Sequence, residues 1–313
     1  MEPSRIPNRT TLILGLTVGI IAASTAAIFI RFAQSEAVPS IVIAAARLTL
    51  ASLILAPIAL TRYIHDLGRL SNGEKVLALL SGIFLAFHFA TWITSLEYTT
   101  VASSVLLVTT TPLWVAVLSP FVLRESIGPG TIIGMILALL GGIIIGLSDT
   151  CVLQSGTLTC QESNHFFTGS VFKGDLLALT GAWMAAGYIL VGRKLRNKLP
   201  LVPYIFVVYG AAALVLIVIM LGMGKTPLGY APVAYLWFFL LAVFPQLVGH
   251  TSFNWALKYL PASFVSVVLL GEPIGSSILA YLIFSELPSL IMIGGAIFIL
   301  VGIWLSARSN GSR

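Results

Sequence analysis

Apolar residues in this chain do not alternate with polar ones; they come in long blocks separated by short polar breaks. Ten blocks stand out, at 11–30, 38–60, 75–95, 101–122, 128–147, 174–192, 201–222, 232–253, 262–284 and 289–307. Each is close to the about 20 apolar residues, roughly 30 Å at 1.5 Å per residue, that cross a bilayer core as a helix. They are too long for the strands of a membrane barrel, and hydrocarbon tolerates no unpaired backbone group, so each block predicts a helix. The expected fold class is all-α integral membrane with ten transmembrane helices. The first block exceeds a signal-peptide core in length and has no convincing cleavage site before Arg31, so it reads as a retained helix. Most connections leave no room for a soluble domain; the exception is the polar stretch 148–172.

Composition agrees with the pattern. Hydrophobic residues make up 58% of the 313 positions and charged residues 9%, with a mean hydropathy of +1.02. A soluble chain carries roughly 25% charged residues, so water-soluble classes are excluded. The net charge of +6 would raise the question of nucleic acid in a soluble protein. Sorted by side of the membrane, it becomes an orientation signal instead. An even number of spans puts both termini on one face, and with the termini inside, the inner segments hold 13 Lys and Arg against 3 outside, Arg31, Lys173 and Lys225. The positive-inside rule then sets cytoplasmic termini for a multi-pass plasma-membrane protein whose partners include the lipid bilayer and no nucleic acid. Stretch 148–172 falls outside and carries Cys151 and Cys160, where an oxidising face permits a disulfide; two free thiols are the other reading.

The chain also repeats itself. Shifted by 161 residues, Leu96 and Tyr98 fall on Leu257 and Tyr259, Pro112 on Pro273, Leu118 on Leu279 and Glu125 on Glu286, without a gap. In the same register Ile132, Gly134, Ile136, Leu139 and Gly141 fall on Ile293, Gly295, Ile297, Leu300 and Gly302. Chance apolar matching does not account for the co-registered Pro, Glu and two Gly. Each half holds five blocks, an odd number, so the second half enters the membrane from the opposite side, an inverted repeat of the kind on which transporters are built. The expected organisation is a first repeat at 11–148, an extracytoplasmic loop at 149–172 and a second repeat at 173–308.

These residues carry a family resemblance. Ala256-Leu257-Lys258-Tyr259-Leu260-Pro261-Ala262, the pair Glu272-Pro273 and Glu286 before a Gly-rich last helix resemble the second repeat of the EamA family in the drug/metabolite transporter superfamily. Arg47, Thr110-Thr111-Pro112 and Arg124-Glu125 resemble its first repeat. The resemblance implies ten helices in two inverted repeats, cytoplasmic termini and a central cavity formed mainly by helices one, three, four, six, eight and nine.

Several residues are candidates for chemistry. Glu272 lies near the middle of the ninth block, where a charge costs at least about 2.5–3.5 kcal/mol on insertion scales, so it reads as a protonatable group in the cavity or as a glutamate holding a kinked helix. Pro112 and Pro273 are expected helix kinks that mark the binding depth, with Thr110 and Thr111 offering hydroxyls there or bonding their own helix carbonyls. His88 and Trp92 share one face of the third helix, and His250 and Asn254 one face of the eighth. These imidazoles either engage substrate and relay protons or are structural. Trp183 lines the cavity, packs between helices or faces lipid. Arg47 is too deep to be solvated and calls for a carbonyl or an acid, Glu272 or Glu97 being candidates. Gly134 and Gly141, like Gly295 and Gly302, are seven apart and suit close packing of the fifth and tenth helices. The cluster Arg193, Lys194, Arg196 and Lys198 reads as a topology anchor. No metal site and no cofactor are expected.

The leading expectation is a secondary transporter, since no phosphate-cradling GxxxxGK(S/T) motif for ATP use is present, that moves a small metabolite by alternating access around a midplane cavity. An exporter is the form the family most often takes, and the substrate an amino acid or related compound or a drug-like molecule. Coupling to protons is one option, and monomer and homodimer both stay open. An enzyme is not expected, since HExxH, GxSxG and paired intramembrane aspartates are all lacking. A membrane-embedded enzyme or a receptor without transport activity remains the alternative.

Overall fold

The computed structural model describes residues 7–99, 104, 107–148, 151–154, 157–160, 169–284 and 290–310. In chain order the helices are α1 (Arg9–Ser35), α2 (Ser40–Arg62), the short α3 (Ile64–Gly68), α4 (Asn72–Ser95), α5 (Thr111–Val122) and α6 (Pro129–Ser148). After them come α7 (Ser170–Arg196), α8 (Leu201–Gly222), α9 (Pro232–Ala256), α10 (Ala262–Leu269), α11 (Glu272–Phe284) and α12 (Leu290–Asn310). Among the described residues, seven stretches are long and apolar enough to cross a membrane: α1, α2, α4, Phe172–Arg196 of α7, α8, α9 and Ala262–Ile283 across α10 and α11. Shorter apolar helices lie within α5, α6 and α12. Glu286, Arg5, Arg313 and the start of the fourth block lie outside the described residues.

Local sequence explains where several helices begin. Asn8 accepts a hydrogen bond from the Thr11 amide at 2.8 Å and caps α1. Ser71 and Glu74 form a capping box at the start of α4, each side chain taking an amide of the other. Pro39 precedes α2 and offers no side-chain cap; Glu97 reaches across instead, its carboxylate accepting from the Ser40 amide at 3.3 Å. A carboxylate at that end is favoured by the helix dipole as well as by the bond.

Two features depart from uninterrupted helices joined by loops. The stretch 148–172 contains a two-stranded antiparallel hairpin, β1 (Cys151–Gln154) and β2 (Thr157–Cys160), whose register sets Cys151 opposite Cys160. β-Branched residues on both sides of the turn-favouring dipeptide Ser155-Gly156 account for it. The second is a nine-residue π-helical segment, Ala242–His250, in the middle of α9. Pro245 inside it has no N–H to give to a regular helical ladder, which makes a wider turn affordable there.

The interruptions before α5 and between α10 and α11 coincide with the 161-residue register. Thr109 and Thr110 form a turn before α5, and Leu270 and Gly271 form a turn between α10 and α11. These positions are 161 apart, and Pro112 and Pro273 each follow as the second residue of the helix that resumes. Proline is tolerated there because the first helical N–H groups have no intrahelical partner anyway. The structure thus gives a break before each proline rather than a bend at it.

Packing divides into two cores. The larger joins α1, α2, α4, α7, α8 and α9 around Leu48, Phe89, Ile93, Tyr204, Tyr209 and Phe238. The smaller, with Ala116, Met135, Ala138, Val267, Leu270 and Ile299, holds α5, α6, α10 and α12 together. Outward faces stay apolar, as at Ile21, Leu53, Phe121, Leu214, Val218 and Leu282, a surface that suits lipid and not water.

Candidate functional site

A polar group sits in the larger core, and Arg47 is at its centre. Arg47 is 1% exposed although it is a cation in the middle of apolar helices. Its Nε donates to Gln246 Oε1 at 2.9 Å, and its guanidinium carbon lies 4.2 Å from the centre of the Phe89 ring. The partner is therefore a neutral amide from the π-helical segment and an aromatic face, where an acid or backbone carbonyl was the expectation. Glu97 is occupied at the start of α2. Glu272 acts on Arg47 through its charge without a direct ion pair being formed. A desolvated cation–π contact is worth about 2 kcal/mol, which offsets only part of the cost of this buried charge.

From Gln246 the cluster continues along α9. Tyr209 donates to the Gln246 carbonyl at 3.5 Å and lies 3.2 Å from the Thr251 hydroxyl. Asn254 Nδ2 donates to the Tyr188 hydroxyl at 2.5 Å, to the Tyr209 hydroxyl at 3.3 Å and to the His250 carbonyl at 2.9 Å. The His250 ring meets Phe89 edge-on at 5.3 Å and Tyr188 at 6.3 Å. On α4, His88 Nδ1 lies 2.9 Å from the Gly181 carbonyl, and its ring stacks on Trp92 at 5.9 Å. A carbonyl has no proton to give, so Nδ1 carries the hydrogen and Nε2 is left as the acceptor of a neutral ring. Gly181 permits this approach: a Cβ there would come within 3.2 Å of Trp92 Cβ.

The residues expected from sequence thus separate into two groups. His88, Trp92, His250 and Asn254 gather around Arg47 and Gln246. Thr110, Thr111 and Trp183 gather elsewhere, with Trp114: the Trp114 indole donates to Thr110 Oγ1 at 3.2 Å, and its ring meets that of Trp183 edge-on at 5.3 Å. The Thr110 hydroxyl donates to Leu107 O at 2.6 Å and the Thr111 hydroxyl to Val108 O at 2.8 Å, with Ala182 O of α7 at 3.4 Å from Thr111, so both hydrogens are used mainly within their own segment. Glu272 is half-buried and its carbonyl accepts from Ser24 Oγ at 3.1 Å, tying α11 to α1.

Gln246, Tyr188, Tyr209 and Phe89 were missed. A glutamine inside an apolar block, next to a proline, was a readable signal for Gln246. The tyrosines and Phe89 carry no such mark, because nothing in a single sequence separates an aromatic that turns toward a buried cation from one that packs on a neighbour.

The basic cluster at the end of α7 is also more than a topology anchor. Arg196 is 2% exposed and donates to Asn254 O at 3.0 Å and to Leu199 O. Arg193 donates to Glu125 Oε1 at 2.6 Å and to Leu257 O at 2.7 Å, while Glu125 Oε2 accepts from the Ala262 amide at 3.3 Å. Glu125 therefore joins the loop after α5 to the end of α7 and the start of α10. Glu125→Gln is expected to lower stability by about 1–3 kcal/mol, the scale of a hydrogen bond to a charged group. A double-mutant cycle with Arg193→Gln checks it: additive losses would show that the pair is not coupled.

A groove of about 450 Å3 opens beside the cluster, lined by residues of α1, Leu201 of α8 and Thr251, Ser252 and Trp255 of α9. Thr251 belongs to both, since its hydroxyl reaches Tyr209 and the Gln246 carbonyl.

Known proteins of similar sequence fit this arrangement. The model of the EamA-like transporter family matches residues 9–147 and again residues 172–308. The chain belongs to the EamA-like transporter family. A relative from Archaeoglobus fulgidus, named as an uncharacterized transporter, is 26% identical over 310 residues, which is 97% of this chain and 99% of that protein. The uncharacterized transporters YdfC and YyaM of Bacillus subtilis are each 23% identical, over 75% and 74% of this chain and 72% of their own lengths. A solved crystal structure superposes with a TM-score of 0.77 at 18% identity, covering 97% of this chain and 99% of the other, a likeness of fold. As an EamA-family member the chain is a multi-pass membrane protein, and its relatives are named as transporters.

Proposed function

We propose that this EamA-family protein is a secondary transporter that moves a small metabolite across the plasma membrane, as an exporter, by alternating access between two inverted five-helix repeats with cytoplasmic termini. The observation that carries the reading is the contact between α6 and α12. Gly134 packs against the Gly302 carbonyl, and Gly141 against the Gly295 carbonyl, whose oxygen a Cβ would approach to 2.5 Å. In the repeat register Gly134 corresponds to Gly295 and Gly141 to Gly302, so the two contacts exchange under a two-fold rotation. The earlier glycine of one helix meets the later glycine of the other, so the helices run antiparallel. A two-fold that relates antiparallel spanning helices lies in the membrane plane, which is the symmetry of an inverted repeat.

The matched breaks before Pro112 and Pro273 support the same reading. Interrupted helices at membrane depth are tolerated where protein or a water-filled cavity covers the freed backbone groups. The buried charged cluster supports a solute path, since a cation in this setting is costly without a function. Reconstituted vesicles test the proposal by counterflow: preloaded solute should drive saturable uptake of its labelled form. Flux that rises linearly with concentration for every solute of a metabolite panel would count against transport by alternating access.

We also propose that Cys151 and Cys160, paired in register on an oxidising outer face, are joined by a disulfide. Both thiols should resist alkylation in whole cells and become reactive after dithiothreitol. Alkylation of both without reductant would exclude the bond.

A further inference from the structure

The proposed transport reading leaves the substrate class open, and the Arg47 cluster narrows it. We propose that the Nη1/Nη2 edge of the Arg47 guanidinium, with the side-chain amide of Gln246, is the anchor for the carboxylate of a small organic monoanion. This inference rests on the transport reading for its biological meaning, but its chemistry stands on the site alone.

Two contacts define which part of Arg47 is left unpaired. Nε is committed to Gln246 Oε1 at 2.9 Å, and one face of the planar group is covered by Phe89 at 4.2 Å. Both terminal nitrogens, Nη1 and Nη2, are buried and have no hydrogen-bond partner. The Gln246 Nε2 is likewise buried and without a partner, on the amide that already holds Arg47. The fork is therefore locked in plane with its paired N–H groups directed away from Gln246 Oε1. A carboxylate matches that edge with two parallel bonds, a geometry that an ammonium or a neutral hydroxyl does not reproduce. Leaving these donors unpaired is expensive in the interior, so the arrangement fits a partner that arrives with the solute.

The charge of the site selects between anions. Among the described residues, Glu272 is the acid whose charge acts on Arg47. With Glu272 ionised, the pair is neutral overall. A monoanionic carboxylate takes the site to one negative charge, whereas a phosphate dianion takes it to two in a region of low dielectric, where self-repulsion is least screened. The side chains gathered at Arg47 are rings, Phe89 against the guanidinium and His250 packed on Phe89 and Tyr188, surroundings that favour an apolar or aromatic body over a strongly polar one. Asn254 adds a second feature: its Nδ2 is fully used, while Oδ1 is buried without a partner, an acceptor for a hydroxyl or N–H on a solute that carries one.

The test uses the full chain in detergent and in vesicles, with acetate, pyruvate and benzoate as probes against acetamide, benzamide, benzylammonium and phenyl phosphate. Binding by calorimetry should favour a carboxylate over its own amide by at least about tenfold, the range of one charge-assisted contact. Arg47→Lys, which keeps the charge and loses the fork, should remove that preference, and Asn254→Asp, which adds a negative charge, should weaken carboxylate binding by a similar factor. Thermal midpoints of the unliganded variants report folding, so Asn254→Asp carries the test if Arg47→Lys does not fold. Amides binding as well as carboxylates, phenyl phosphate binding as well as benzoate, or a carboxylate preference that survives both substitutions would overturn the anchor. Carboxylate binding with no saturable flux of any probe would remove the transport reading and leave the anchor standing. Saturable flux of benzylammonium that Arg47→Lys leaves unchanged would do the reverse.

Discussion

Glu272→Gln is expected to abolish accumulation driven by an imposed pH gradient in proteoliposomes while leaving solute counterflow in place. The substitution is close to isosteric and removes only the capacity to gain and lose a proton. The contacts that hold α11 in position do not depend on the carboxyl group: the Glu272 carbonyl takes the Ser24 hydroxyl at 3.1 Å, and Ser276 returns a bond to the Ser24 carbonyl at 3.0 Å. A glutamate that merely held the helix would, on replacement, reduce counterflow and thermal stability together. A proton-carrying glutamate would lose gradient coupling alone. The groups that bear on it are the Arg47 charge and, within reach of Arg47, His88, His250 and Tyr209. None of these is altered by the substitution. Gradient-driven accumulation equal to that of the parent protein would exclude proton coupling through Glu272.

Alanine at Gly134 or Gly302 is the second large expected effect, this time on folding. A Cβ at Gly302 would stand 2.8 Å from the Ala138 amide nitrogen and closer still to the Gly134 carbonyl, and one at Gly134 would meet the Gly302 carbonyl and Ser306. The obstacles are backbone atoms and cannot rotate away. The helices must separate, and overpacking of this kind costs about 1–3 kcal/mol, so thermal midpoints should fall by several degrees. Gly294→Ala is the control, because a Cβ there meets nothing within 4 Å. Its midpoint should stay or rise slightly, alanine being the better helix former. Equal midpoints for all three variants would mean that the α6–α12 contact is not the close approach described here.

The helices were legible because lipid imposes a one-dimensional rule. Any stretch that crosses hydrocarbon must be apolar for about 20 residues and must satisfy its own backbone, so length and composition alone locate α1, α2, α4, α8 and α9 to within a few residues. The repeat was legible for a related reason: Pro112 and Pro273, Gly134 and Gly295, and Gly141 and Gly302 meet the same backbone demand twice and are spared by apolar drift. The hairpin Cys151–Gln154 with Thr157–Cys160 was passed over because the stretch was read as a polar loop, although its β-branched residues around Ser155-Gly156 carried the signal.

The site was legible only in part. His88, Trp92, His250 and Asn254 announce themselves as polar or amphipathic residues paired at helical spacing, and they do converge. Thr110 and Thr111 announced themselves equally well and are spent on the carbonyls of their own segment. Gln246 carried a signal of its own, but its pairing with Arg47 could not be read, because the two are 199 residues apart and meet only through a π-helical turn. Hydropathy determined that this chain lives in a membrane and where its apolar spans lie, since both depend on a local sum over neighbouring residues, and short motifs such as Glu272-Pro273 and Thr110-Thr111-Pro112 determined which family it resembles. Tertiary structure alone decided which polar groups are used up and which remain, because hydrogen-bond satisfaction belongs to pairs of atoms brought together by packing and not to any residue by itself.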